Sequence, residues 1–279
     1  PDSFRTHVVR KAACAVPKLG KLSFEEAASI PGAFLTAWYA LRHVGKISKG
    51  EKILIHAASG GVGLAAVQIA QNAGAEIFAT VGSPEKRKFL ESVGIRRVYH
   101  SRTLDFADQI LKDTDGRGVD LVLNSLAGEF IGKSLSVLAK GGRFLELGKK
   151  EVLVESRKGL QPVEGGKLYA AIDMDLLAVE QLELYRQVFG EVMEQFACDA
   201  LKVLPIRVFP FNDAKEAFRH MVQTKHIGKV VLSLTSAGPE AIVAICGEKT
   251  DGGGYAIDPS KLADYEALLE DLAAAGKTP

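Results

Sequence analysis

The strongest constraint on the fold is a run of small residues, Gly61-Val62-Gly63-Leu64-Ala65-Ala66. It lies between the apolar stretch Lys52-Ile-Leu-Ile-His56 and a segment of helical spacing, Val62 to Ala73. A G-x-G-x-x-A pattern alone is common, but between a strand and a helix each small residue acquires a mechanical reason. Gly61 permits the tight turn, Gly63 lets the backbone approach a bound diphosphate, and Ala66 lets helix and strand pack closely. Free N–H groups and the positive end of the helix dipole then face the ligand. The bland alternative is a strand-to-helix turn that uses glycine for geometry only.

The alternation continues along the chain. Strands are expected at 52–56, 76–81, 97–100, 119–124, 143–147 and 167–172, with helices at 62–73, from Pro84, at 104–112 and at 129–138. Proline at 84 suits the first turn of a helix, and Gly141-Gly142 is read as the turn into the fifth strand. This is an α/β pattern: a doubly wound, parallel, six-stranded Rossmann sheet covered on both faces.

Flanking pieces stand apart. Residues 1 to about 30 alternate like strands, and a helix over Leu22 to Ile30 carries a capping box, Ser23 with Glu26. Met174 to Phe196 reads as one long amphipathic helical region, Leu204–Phe209 as a strand, Asn212–Gln223 as a helix capped by Asn212, and Lys229–Leu234 as a last strand. Composition changes around Thr235-Ser-Ala-Gly-Pro239. Beyond it, a strand-like Ala241–Cys246, a flexible Asp251-Gly-Gly-Gly254 loop and a helix over Lys261–Ala275 suggest the start of another module. The chain opens at Pro1 without an initiator Met, and Phe4–Val9 already reads as a strand, so a fragment of a longer polypeptide is expected.

A formal net charge of +1 gives no reason to expect nucleic acid or an anionic membrane as partner. Cys14, Cys198 and Cys246 show no metal-like spacing, and an odd count argues against a disulfide framework. His56, His100 and His226 form no ligand pattern with Cys or acid, so a metal-free site is expected. The sequence given shows neither a signal-peptide pattern nor a membrane-length apolar run, and a cytoplasmic setting is expected.

The end of the second strand selects the cofactor. An NAD site usually places Asp or Glu there for the ribose hydroxyls. Here the chain reads Gly82-Ser83-Pro84-Glu85-Lys86-Arg87, without an acid at the strand end. Ser83, Lys86 and Arg87 suit a 2′-phosphate through charge-assisted bonds, so NADPH is the expected cofactor. The alternative is that Lys86 and Arg87 are only the solvated face of a helix. Arg102, after the third strand, is a further candidate on the adenine side.

The strings Ala57-Ala-Ser-Gly-Gly-Val-Gly-Leu-Ala and Gly82-Ser-Pro-Glu-Lys-Arg87 resemble zinc-free, quinone-oxidoreductase-like medium-chain dehydrogenase/reductases. Phe34-Leu-Thr-Ala-Trp-Tyr-Ala-Leu41, Asn124-Ser-Leu-Ala-Gly128, Phe144-Leu-Glu-Leu-Gly-Lys149 and His226-Ile-Gly-Lys-Val-Val231 narrow the likeness. Together they are similar to enoyl reductase domains of modular polyketide synthases and animal-type fatty acid synthases. The resemblance covers residues 1 to about 235; the tail, with Asp258-Pro259 and Asp264 to Leu269, faintly resembles the opening of a ketoreductase structural subdomain.

The resemblance implies a cofactor domain over residues 33–198 inserted into a GroES-like substrate domain, of which 1–32 and 199–235 are remnants. Residues 236–279 would begin a following module. Most of the substrate domain's N-terminal half is missing from the pattern, including the segment where relatives carry a tyrosine proposed as proton donor. The resemblance also implies an acyl carrier protein bearing an enoyl phosphopantetheine thioester as partner, with neighbouring synthase domains.

Enoyl reduction delivers hydride to the β-carbon and a proton to the α-carbon, and the enolate between these steps needs donors where charge develops. By resemblance Lys149 matches a lysine proposed to donate that proton or orient the thioester, and Asp173 its partner. Their bland readings are a solvated Lys149-Lys150 pair and a helix cap at Asp173. Further cofactor contacts implied by the resemblance are Thr36, Ser59, Gly60, Val62, Asn124, Ser125, Leu126, Leu147, Gly148, Ile227, Gly228 and Lys229. A free-standing quinone or enone reductase, a cyclopropane-forming variant and a non-catalytic scaffold stay open as alternatives.

Overall fold

The computed structural model describes residues 14–148, 161–234, 248–249 and 255–256. Among the described residues the first α-helix, α1 (Phe24–Ser29), starts where a local rule places it: Ser23 accepts from the Glu26 N–H, and Glu26 accepts from the Ser23 N–H. The chain then stays helical over 31–44. Here α2 (Thr36–Trp38) is flanked by π-helical turns at Pro31–Leu35 and Tyr39–Val44.

Strands and helices then alternate: β1 (Lys52–Ile55), α3 (Gly61–Ala73), β2 (Glu76–Val81), α4 (Pro84–Ser92), β3 (Arg97–His100), α5 (Phe106–Asp113), β4 (Val119–Asn124), α6 (Glu129–Ser136) and β5 (Leu138–Glu146). After β6 (Gln161–Val163) and β7 (Lys167–Ala171) come α7 (Met174–Glu180), α8 (Leu182–Ala197), β8 (Ile206–Pro210), α9 (Ala214–Val222) and β9 (Lys229–Ser233). The main sheet has the order β3-β2-β1-β4-β5-β7-β6. Its first six strands are parallel, as expected, and the seventh, β6, adds an antiparallel edge. Side-chain alternation splits the core. Ile53 and Ile55 pack with α3, α8 and the 31–44 segment, whereas Leu54 joins Phe78, Phe106, Val122 and Phe144 beneath α5 and α6. Fully burying each such side chain contributes roughly 1.5–3 kcal/mol relative to exposure.

Several local expectations change. Gly141-Gly142 does not simply precede the fifth strand: β5 already pairs at Leu138, and the chain loops out before Arg143 meets Leu121. Gly141, at φ +76°, supplies the left-handed backbone this excursion needs. The 174–196 region is two helices, broken at Gln181, whose φ of −135° and ψ of 57° are not helical. Asn212 does not cap α9; it lies in a 3₁₀ turn, Phe211–Asp213, that leads into the helix. The expected strands Phe4–Val9 and Ala241–Cys246, the Asp251–Gly254 loop and the Lys261–Ala275 helix lie outside the described residues.

β8 and β9 pair parallel as a separate two-stranded sheet, with α1 packed beside it and the Ser233 hydroxyl donating to Glu25 Oε1 at 2.7 Å. Among the described residues no helix is long and apolar enough to cross a membrane.

Candidate functional site

The turn from β1 into α3 is built by close contacts of the chain with itself. Gly60 is the N-cap of α3, no side chain bonds to that end, and no acid occupies the first turn. The first N–H groups of α3 are therefore left for a ligand or solvent. The two glycines divide the work differently from the sequence expectation. A Cβ at Gly63 would fall 2.5 Å from the Ala57 carbonyl oxygen and 2.6 Å from Ala58 Cα, so the close approach enforced there is to the chain's own backbone. A Cβ at Gly61 would fall 2.5 Å from Cδ of Lys229, whose side chain lies across the turn.

That lysine arrives because the 226–229 loop docks on the turn. Gly228 N–H donates to the Ser59 carbonyl at 2.9 Å, and Gly60 and Gly228 form a parallel bridge. Gly228 has φ +75°, and a Cβ there would overlap the Pro205 carbonyl, so only glycine fits. Ile227, Gly228 and Lys229 are thus brought to Ser59, Gly60 and Gly61. Thr36 lies on the helical segment against α3, its hydroxyl donating to the Gly32 carbonyl at 3.2 Å; a Cβ at Gly61 would also lie 3.6 Å from Ala33 Cβ.

Basic groups gather at the C-terminal end of β2. Ser83 caps α4, its hydroxyl accepting from the Lys86 N–H at 3.4 Å. The Lys86 ammonium donates to the Thr224 carbonyl at 2.6 Å, tying α4 to the loop that carries Lys229. Across the strand end, Arg102 Nε would lie 3.5 Å from a Cβ at Gly82. Burial, and then the nearby Arg102 guanidinium, hold the Lys86 pKa below the usual lysine value; burial does the same for Lys229. Glu85, fully exposed, has its pKa lowered chiefly by the Ser83 hydroxyl. Lys86 and Arg87 are successive helical residues and point in different directions. Lys86 lies near Arg102, and the charges of Lys86 and Lys229 both act on His226.

At the neighbouring strand ends, Asn124 and Glu146 form a buried pair, with Asn124 Nδ2 donating to Glu146 Oε2 at 2.6 Å and to the Leu126 carbonyl at 2.8 Å. Glu146 Oε1 accepts from Gly148 N–H at 2.6 Å, and Leu147 N–H donates to the Asn124 carbonyl at 2.9 Å. Leu126, Leu147 and Gly148 are thereby fixed together, while Ser125 is exposed. The sequence reading missed Glu146. A charged residue at a strand position whose neighbours Phe144 and Leu145 are buried was the available signal.

Asp173 follows β7 and caps α7, accepting from the N–H groups of Asp175 and Leu176 at 3.1 Å each. Its expected partner, Lys149, lies outside the described residues. His226, also missed, packs beside the basic cluster, and its Nδ1 is buried without a hydrogen-bond partner among the described residues. No three His, Cys, Asp or Glu side chains among the described residues come together as a metal site. This arrangement can hold an elongated anionic ligand across the C-terminal ends of β1, β2 and β4, the edge where open α/β sheets place ligands.

The comparisons with known proteins agree with this architecture. The family described as zinc-binding dehydrogenase matches residues 93–232. The chain is 46% identical over 245 residues to a phenolphthiocerol/phthiocerol polyketide synthase of Mycobacterium tuberculosis; the match takes in 88% of this chain but only 11% of that protein. The crystal structure of CurK enoyl reductase superposes with a TM-score of 0.72 at 50% identity, covering 78% of this chain and 65% of that one. The X-ray structure of the nucleotide-binding subdomain of the enoylreductase domain of PpsC from Mycobacterium tuberculosis gives a TM-score of 0.56 at 44% identity. It covers 65% of this chain and 99% of that one.

Proposed function

We propose, from the premise that the chain belongs to the zinc-binding dehydrogenase family as an enoyl reductase domain of the polyketide synthase type, that it reduces a carrier-bound α,β-unsaturated thioester with NADPH. The observation that carries the cofactor assignment is the approach of Lys86 and Arg102 at an acid-free strand end, with Lys229 laid across the neighbouring glycine turn where α3 begins uncapped. The glycine turn fits a diphosphate, because its first N–H groups have no side-chain partner. Ser83, Lys86 and Arg102 fit a 2′-phosphate, with Arg87 as an outer contributor.

NADPH bound there would supply the hydride for the β-carbon. The chain's own residues do the rest. The Asn124–Glu146 pair holds Leu126, Leu147 and Gly148 as a fixed border at the strand ends. Thr36, Ser125 and Ile227 complete the cofactor contacts. Lys149 delivers a proton to the α-carbon, or donates to the enolate oxygen, and Asp173 orients it; support lies in the adjacency of β5, which leads to Lys149, and β7, which leads to Asp173. A carboxylate in that position favours the charged ammonium. No step is assigned to a metal.

Residues 33–198 form the cofactor domain in this reading. The packing of α1 against β8 and β9 supports joining 1–32 with 199–235 as parts of a substrate domain, and 236–279 would open the next module. The acceptor is an enoyl thioester on an acyl carrier protein within a longer synthase, in the cytoplasm.

Titration with NADPH and NADH tests the cofactor, and equal affinities would refute the assignment. On the longer synthase with a crotonyl thioester, Lys149→Ala should slow turnover while leaving NADPH binding intact. Unchanged turnover removes Lys149 from the mechanism.

A further inference from the structure

We propose that His226 is a proton-linked specificity residue for the 2′-phosphate: neutral in the free protein, it takes up a proton when the phosphate enters and becomes an additional cation of the cluster. This rests on the NADPH reading above.

The geometry comes first. His226 sits between two anchored points, Thr224, whose carbonyl accepts from Lys86, and Gly228, whose N–H donates to Ser59. Its ring therefore belongs to the short loop that joins the basic end of β2 to the glycine turn. Among the described residues, the charged or titratable groups acting on it are Lys86 from α4, Lys229 from β9 and His220 from α9, whose ring centroid is 6.2 Å away. Behind His220 stands Arg207 of β8, its Nη1 3.5 Å from His220 Nδ1. No carboxylate is among them. One ring nitrogen, Nδ1, is buried without a partner among the described residues. A site with so many cations and no anion is incomplete, and a doubly charged phosphate is the group that completes it.

Burial and the surrounding positive charge keep the imidazole below its ordinary pKa, so at neutral pH it is uncharged. A phosphate dianion would reverse the dominant charge that the ring feels and favour the imidazolium. Binding of a 2′-phosphorylated nucleotide should then be accompanied by net proton uptake, whereas the same nucleotide without that phosphate should show none. Above pH 7 the phosphate is itself mostly dianionic, its second pKa being about 6, so it contributes little to the balance.

NADP⁺ and NAD⁺ are titrated calorimetrically into the full chain at pH 7.5 in two buffers of different ionisation enthalpy, for the wild type and His226→Gln. NADP⁺ should bind the wild type with uptake of a fraction of a proton that is absent with NAD⁺ and absent in the variant. From pH 7.0 to 8.5 the NADP⁺:NAD⁺ affinity ratio should fall in the wild type, by at most about tenfold per pH unit for one linked proton, and stay nearly flat in the variant. A residue that merely shapes the loop would shift affinity without changing this slope. NADP⁺ binding with no uptake overturns the inference while leaving the cofactor reading intact. Uptake that persists in His226→Gln assigns it to another group and overturns it too. Failure of both nucleotides to bind the wild type sinks the cofactor reading itself. If the variant does not fold, the buffer dependence of the wild type alone decides whether a proton is taken up, and a titration of its histidine ring signals with NADP⁺ shows whether His226 takes it.

Discussion

Acid should destabilise this protein through one histidine that has nothing to do with chemistry. His56 follows β1 just before the glycine turn and is 3% exposed. Its Nδ1 lies 2.9 Å from the Thr80 hydroxyl and its Nε2 2.8 Å from the Ser134 hydroxyl, with the ring edge-on to Phe106. Because the Ser134 hydroxyl donates to the Phe130 carbonyl, it accepts from Nε2–H, and Nδ1 accepts from Thr80. A second ring proton would therefore meet a donor inside an apolar core. Burial lowers the His56 pKa from 6.5 to about 3. The folded state keeps the ring neutral while the unfolded chain protonates, so stability is complete above 6.5 and falls as pH drops from there towards 3. The slope approaches about 1.4 kcal/mol per pH unit. Between pH 7 and pH 5 the loss from this group is about 2 kcal/mol. Other groups titrate too, so the measurement is a difference: urea unfolding of the wild type and His56→Gln at both pH values. The variant should be about 1–3 kcal/mol less stable at pH 7, from broken hydrogen bonds, yet lose about 2 kcal/mol less on acidification. Equal acid losses in the two proteins would show the argument to be wrong.

The glycine turn offers an asymmetric pair. Gly63→Ala places its methyl against backbone and should cost at least about 1–3 kcal/mol and most nucleotide affinity, whereas Gly61→Ala meets a lysine side chain that can swing aside and should be milder on thermal unfolding. Glu146→Gln keeps the shape but sets an amide where Asn124 and Gly148 both donate; about 1–3 kcal/mol should be lost, with faster hydrogen exchange at Leu126 and Gly148. Asp173→Ala should cost about 1 kcal/mol through the lost cap, while Asp173→Asn should retain it. If Asn restores stability but not turnover in the longer synthase, the charge matters beyond capping; if it restores both, the cap is the whole role.

Short-range rules made much of this molecule legible from its sequence. The six parallel strands were visible because short strand-like runs alternate with helical patterns, and the central runs β1 and β4, buried along most of their length, declare themselves most clearly. Ser23 and Glu26 close their box through neighbours three residues apart, and the small residues of 61–66 are forced by a turn only a few residues long. Chain-local geometry suffices for such features.

What the tertiary structure alone decided is every meeting between distant segments. Gln161-Pro-Val163 carries no strand signal, and proline argues against one; it becomes a strand because the exposed edge of β7 offers it partners. Lys86 and Arg87 look equivalent in the sequence, yet only Lys86 is turned towards Thr224, because successive helical residues diverge by about 100°. Glu146 reads as an oddity until Asn124, 22 residues away, is brought against it. The 224–229 loop owes its place on the glycine turn to the packing of β8 and β9, far from Ser59 in sequence. Periodicity records which way a side chain leaves its own element. Which other element waits there depends on how the whole set packs.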